Sequence, residues 1–140
     1  MRGVLVARSE PEAVIAAVAA PTTRIVSLTI TEKGYCRTTA GDLNPVAADE
    51  GSVFRFLAQG LRRRCDAGLP GLTLLSCDNL ADNGHQLQRL MHQYLARHDP
   101  ALLEWFAAAW PWALCPPWAC TSAARRAPPS WVLTTSCPAS

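Results

Sequence analysis

Hydrophobic residues along the first 110 positions follow two periods. Ile25-Val26-Ser27-Leu28-Thr29-Ile30 and Leu72-Thr73-Leu74-Leu75-Ser76-Cys77 are short apolar runs between polar or Gly/Pro stretches, the pattern of strands buried in a sheet. Val4-Leu5-Val6-Ala7 is a shorter run of the same kind and predicts a first strand. The intervening segments carry apolar residues at helical spacing: Val14, Ile15 and Val18; Val53, Phe54, Leu57, Leu61 and Cys65; Leu87, Leu90, Met91, Tyr94 and Leu95; Leu102, Leu103, Phe106 and Trp110. Punctuation sharpens these elements. Ser9 as N-cap, Pro11 in the first turn and Glu12 at N3 predict a capping box, and Pro21 ends that helix near Ala20. Asp99 and Pro100 suit the N-cap and N1 positions of the last helix, whereas Gly41-Asp42-Leu43-Asn44-Pro45 has loop chemistry.

The predicted order is β-α-β-α-β-α-α, with crossovers long enough for parallel strands and of the usual right hand. The fold class is therefore α/β, a partial Rossmann-like, doubly wound parallel sheet of about three strands with helices over residues 1–110. No Gly-x-Gly-x-x-Gly occurs in the chain, so the phosphate-binding turn of a dinucleotide fold is missing from it.

Composition changes this picture at one place. Residues 111–140 contain no Asp, Glu, Lys, Gly or Ile, and six of these 30 residues are Pro; they are expected to be a disordered, Pro-rich tail. The whole chain has a net charge of +2, and Arg62, Arg63 and Arg64 form its one run of three basic residues, which leaves no electrostatic footprint for nucleic acid. No 18-residue apolar run suggests a membrane span, and the N-terminal apolar run is too short for a signal-peptide core, so the expected location is the cytoplasm. In that reducing compartment the six cysteines are expected as thiols. Cys115, Cys120 and Cys137 lack a nearby His and a zinc spacing, so no metal site is expected.

Ligands of open parallel sheets bind beyond the carboxyl ends of the strands. Two polar clusters fall there, Thr29-Ile30-Thr31-Glu32-Lys33-Gly34-Tyr35 and Ser76-Cys77-Asp78-Asn79-Leu80 with Asn83-Gly84. Each also has a plain local explanation: a surface turn with Gly34 at positive φ, and an Asx turn at Asp78-Asn79.

The two strings, in this order, closely resemble the mannitol dehydrogenase and fructuronate reductase family of polyol-specific long-chain dehydrogenases. The resemblance runs from about Val4 to about Ala109 and includes Leu61-Arg62-Arg63-Arg64, Gly68-Leu69-Pro70 and Leu103-Glu104-Trp105. It implies a zinc-independent oxidoreductase that uses NAD as cofactor and moves a hydride between nicotinamide and the carbinol carbon of a sugar alcohol or sugar acid, with a polyol or ketose as partner molecule. By the same resemblance Asn79 matches the asparagine that helps form an oxyanion hole, and Glu32 the glutamate near the substrate and the proton path. Thr31 and Asp78 fall on the cofactor side, and Lys33 is a surface or structural lysine. The family's general base belongs to a Lys-x4-Asn-x2-His signature in a second domain, and Lys33, the one lysine here, has no such sequence after it. The chain by itself is therefore expected to be an inactive fragment with weak or absent NAD binding. The alternative is a non-catalytic product of a frameshifted or truncated gene.

Arg outnumbers Lys by 12 to 1, which suggests a GC-rich gene, and residues 111–140 are built from the types that out-of-frame reading of such DNA yields. Translating the same DNA in another frame is expected to restore a Met-x-Asp-Arg-Ile-like stretch beyond codon 110. Resequencing that upholds this frame, with no family pattern in the other frames, would refute the frameshift.

Overall fold

The computed structural model of the protein describes residues 3–78 and 80–109. The tail expected over 111–140, the inward-facing Trp110 and the candidate Asn79 lie outside the described residues. Among the described residues five helices and two strands follow one another: α1 (Pro11–Ala19), β1 (Ile25–Leu28), α2 (Pro45–Asp49), α3 (Val53–Asp66), β2 (Thr73–Ser76), α4 (Asn83–His98) and α5 (Pro100–Ala109), with a 3-10 turn over Glu32–Tyr35.

β1 and β2 pair in parallel, in the register Ile25↔Thr73 to Leu28↔Ser76. Alternation along this register places Val26, Leu28, Leu74 and Ser76 on one face, and the three apolar members of that set join the helical core. Ile25, on the other face, is 62% exposed. The expected third strand is not formed among the described residues. Val4 is 91% exposed, and the chain closes a turn in which the amides of Ser9 and Glu10 both donate to Val6 O, at 3.0 and 2.7 Å. A β-branched run becomes a strand only where a neighbouring backbone accepts its ladder, and residues 4–7 have none.

α1 differs from expectation at its start. Glu10, not Ser9, is the N-cap and no side chain caps the helix; Ser9 Oγ donates backward to Val6 O at 3.2 Å. Pro11 at N1 removes one of the free amides that a capping box would serve. α2 was hidden in a stretch with loop chemistry. Asn44 Oδ1 accepts from Ala47 N at 3.3 Å and Pro45 sits at N1, so the Asn-Pro pair opens a helix of five residues. The last helix starts as expected, with Asp99 Oδ1 accepting from Leu102 N at 3.0 Å. Its buried face includes Trp105, 3% exposed, while Leu103 is only partly buried.

α3 is the central helix of the core, burying Phe54, Leu57, Ala58, Leu61 and Cys65. Cys36 and Cys77 are free thiols. Arg64 on the same helix is completely buried. Its guanidinium donates to Pro70 O at 2.9 and 3.2 Å, to Ala20 O at 2.6 Å and to Val18 O at 3.4 Å. It thereby serves carbonyls at the end of α1 and just before β2 that would otherwise be left unpaired away from water. No described helix is long and apolar enough to cross a membrane.

Gly60 sets how closely α1 approaches α3. A Cβ there would lie 2.5 Å from Val18 Cγ1 and 2.6 Å from Val18 Cβ, a distance that forces the helices apart. Gly60→Ala is expected to destabilise the chain by about 1–3 kcal/mol, the usual range for overpacking, and Val18→Ala in the same chain to recover part of that loss. Urea unfolding midpoints of the two single variants and the double variant check this; additive losses would refute the steric account.

Candidate functional site at the carboxyl edge of the sheet

Both strands run out at the same edge. After β1 the chain passes through Thr31, extended at φ −72° and ψ 161°, into the 3-10 turn, which closes at Cys36 in the left-handed region at φ 50°. Gly34, the expected site of positive φ, is not in that region. The Cys36 amide donates to Lys33 O at 3.1 Å, and burial raises the pKa of its thiol.

After β2, Asp78 joins the two loops. Its Oδ1 accepts from Ile30 N at 2.5 Å, and its Oδ2 accepts from Ser76 Oγ at 2.8 Å and from the Tyr35 hydroxyl. The Tyr35 and Ser76 hydroxyls also lie 2.7 Å apart, within hydrogen-bond distance. An Asx turn is therefore not the role of this carboxylate, which reaches across the sheet edge to a segment 48 residues earlier. The loop from β2 to α4 is tied a second time. Asn83 Nδ2 donates to Ser76 O at 3.1 Å and to Asp78 O at 3.0 Å.

Tyr35 is fully buried under this edge. Burial is the main cause that pushes its phenol pKa upward, and the hydrogen bond to Asp78 adds to it. Thr31, Glu32 and Lys33 are exposed. The Glu32 side chain is 75% exposed, with Arg37 Nη2 3.8 Å from its carboxylate. The structure thus brings together Asp78 and the segment that carries Thr31 and Glu32, and leaves Glu32 facing water. Tyr35, Ser76 and Asn83 belong to the two polar clusters, but the sequence assigned them no role of their own. The available signal was faint: Ser76 in an apolar strand, with Asp78 two residues on and hence on the same face.

Among the described residues no three His, Cys, Asp or Glu side chains gather where they could hold a metal ion. The helix after β2 opens at Asp82, in the left-handed region, whose carboxylate is 2.6 Å from His85 Nδ1.

A family model described as the mannitol dehydrogenase Rossmann domain matches residues 2–111. Polyol:NADP oxidoreductase of Gluconobacter oxydans is 39% identical over 116 residues, which cover 75% of this chain and 24% of that protein. Among solved structures, D-sorbitol dehydrogenase in substrate-free form superposes with a TM-score of 0.70 at 38% identity, over 77% of this chain and 25% of that one. The ternary complex of Pseudomonas fluorescens mannitol 2-dehydrogenase with NAD and D-mannitol gives a TM-score of 0.66 at 36% identity, over 75% and 24% of the two chains. The chain thus spans about a quarter of the length of the relatives it matches.

The raised Tyr35 pKa fixes the sign of one pH dependence. An unfolded tyrosine ionises near pH ~10, while folded Tyr35 keeps its proton to higher pH. Its contribution to stability is therefore complete below the unfolded value and is lost as pH rises toward the folded one. Tyr35→Phe is expected to lower stability at neutral pH and to flatten its fall at alkaline pH, Tyr94 supplying the same background in both chains. Denaturant unfolding at a series of pH values checks this, and parallel curves for the two chains would refute it.

Proposed function

The chain belongs to the mannitol dehydrogenase family, and from that membership we propose that it carries the strand-end part of the active site of a polyol or sugar-acid dehydrogenase. The observation that supports this most directly is the carboxylate of Asp78, which draws the end of β1 and the loop after β2 into one edge. The reaction class is exchange of a hydride between a nicotinamide and a secondary alcohol or ketose, of the mannitol 2-dehydrogenase or fructuronate reductase type. The Pseudomonas fluorescens relative is crystallised with NAD and D-mannitol, and the Gluconobacter oxydans relative is named for NADP. A small polyol or ketose in the cytoplasm is the partner, with no role for nucleic acid.

Two side chains of this chain take part in the chemistry. As the carbinol carbon loses its hydride, negative charge grows on the attached oxygen. The Asn79 amide donates a hydrogen bond there, and a donor already fixed in place stabilises the charge without reorganising. Glu32, with its carboxylate open to water, accepts or passes on the hydroxyl proton. Thr31 and Asp78 lie on the cofactor side of the edge, Asp78 acting through the backbone that it fixes. The whole activity requires groups outside this chain, so the 140-residue chain alone turns over no mannitol, fructose or fructuronate.

The test is a chimera in which residues 2–111 replace the matching segment of the Gluconobacter oxydans enzyme. Polyol-dependent reduction of the nicotinamide is expected, and Asn79→Ala should lower kcat by about 10²–10³-fold with KM little changed. An inactive parent chimera, or a loss confined to KM, would refute the assignment.

A further inference from the structure

The Asp78 carboxylate is surrounded by this chain's own donors, which bears on how the edge works. One oxygen is taken by Ile30 N and the other by the Tyr35 and Ser76 hydroxyls. Tyr35 cannot move to suit a ligand, because its ring is fully buried in the core cluster. Ser76, 7% exposed, is the last residue of β2, so its hydroxyl is fixed by the strand register. Asn83 approaches from the first turn of α4 and holds the carbonyls of residues 76 and 78 with one amide nitrogen. The donors thus come from the 3-10 turn after β1, from β2 and from α4, and all converge on the residue immediately before Asn79.

We propose that Tyr35, Ser76 and Asn83 are positioning residues of this site, which hold Asp78 and its backbone at the edge of the sheet. The proposal rests on the functional reading above and adds three residues to it. It also defines what Asp78 does: its oxygens are committed to internal donors, so it positions the loop and binds no cofactor hydroxyl directly. An oxyanion donor misplaced by about 1 Å can forfeit roughly 10²-fold in rate, which is why a catalytic loop of this kind needs ties on both sides.

Two measurements test the proposal. In the 140-residue chain, amide hydrogen exchange is followed at Ile30 and at residues 77–84, with Leu57 and Leu61 in α3 as internal references. Tyr35→Phe and Asn83→Ala are each expected to speed exchange at the edge at least tenfold and to leave α3 unchanged, while Ser76→Thr, which keeps its hydroxyl, retains the native pattern. In the chimera, Tyr35→Phe is expected to lower kcat about tenfold or more with KM within twofold, the mark of a transition-state group held out of place. Equal acceleration at α3 and at the edge would reduce these residues to general stabilisers and overturn the proposal. So would native kcat in an active chimera carrying Tyr35→Phe. An inactive parent chimera would overturn the functional reading itself, and with it the catalytic purpose of the frame, and is thereby distinguished from failure of the positioning proposal alone.

Discussion

The bond from Ile30 N to Asp78 Oδ1 continues the sheet after its ladder has ended. With Leu28 opposite Ser76, the register carried two residues further places Ile30 opposite Asp78. The last backbone bond of the ladder runs from Cys77 N to Leu28 O at 2.8 Å. At the next step a side-chain oxygen, not a carbonyl, accepts the Ile30 amide. This substitution frees the backbone after residue 78 from the geometry of a strand while keeping the two chains joined, so a loop can begin without the edge fraying. A carboxyl group is suited to this place, because its two oxygens accept several donors at once.

The opposite end of the sheet is secured by a cation. Arg64 gathers the carbonyls of Val18, Ala20 and Pro70, which precede β1 and β2. Burial lowers its pKa, and the neighbouring charge of Arg24 acts in the same direction. Removing such a group would leave several buried carbonyls without donors, a change of the order of 3 kcal/mol or more. Between these two charged clamps lies an apolar layer in which Gly60 lets α1 settle onto α3. The amino end of the sheet is thus held by a buried cation and the carboxyl end by a carboxylate.

Much of the helical architecture was legible because amphipathic spacing records burial directly: the stripes from Val53 to Cys65 and from Leu87 to Leu95 lie in the core. The two pairing runs were legible for the same reason. Residues 4–7 misled because a β-branched run states a preference for extended backbone but not the presence of a neighbour to pair with. α2 was missed because Asn44-Pro45 suits a loop and a helix start equally well. At the edge, the order of the polar strings pointed to Thr31, Glu32, Asp78 and Asn79, but the frame that joins them did not show. Tyr35 and Ser76 are 41 residues apart, and only the parallel register brings their hydroxyls together. A tyrosine at the end of a short turn carries no mark in the sequence of the carboxylate that it will meet.

The donors that organise Asp78 all belong to this chain and sit in its core or its strands, so the edge is built by folding and does not wait for a ligand. An edge assembled that way is preorganised: the cost of ordering Asp78 and the segments it joins is met when β1 and β2 pair. The exposed Glu32 has the opposite character, with its carboxylate open to water. The boundary between the two is the 3-10 turn, whose first residue faces solvent and whose last, Tyr35, is locked beneath the carboxylate.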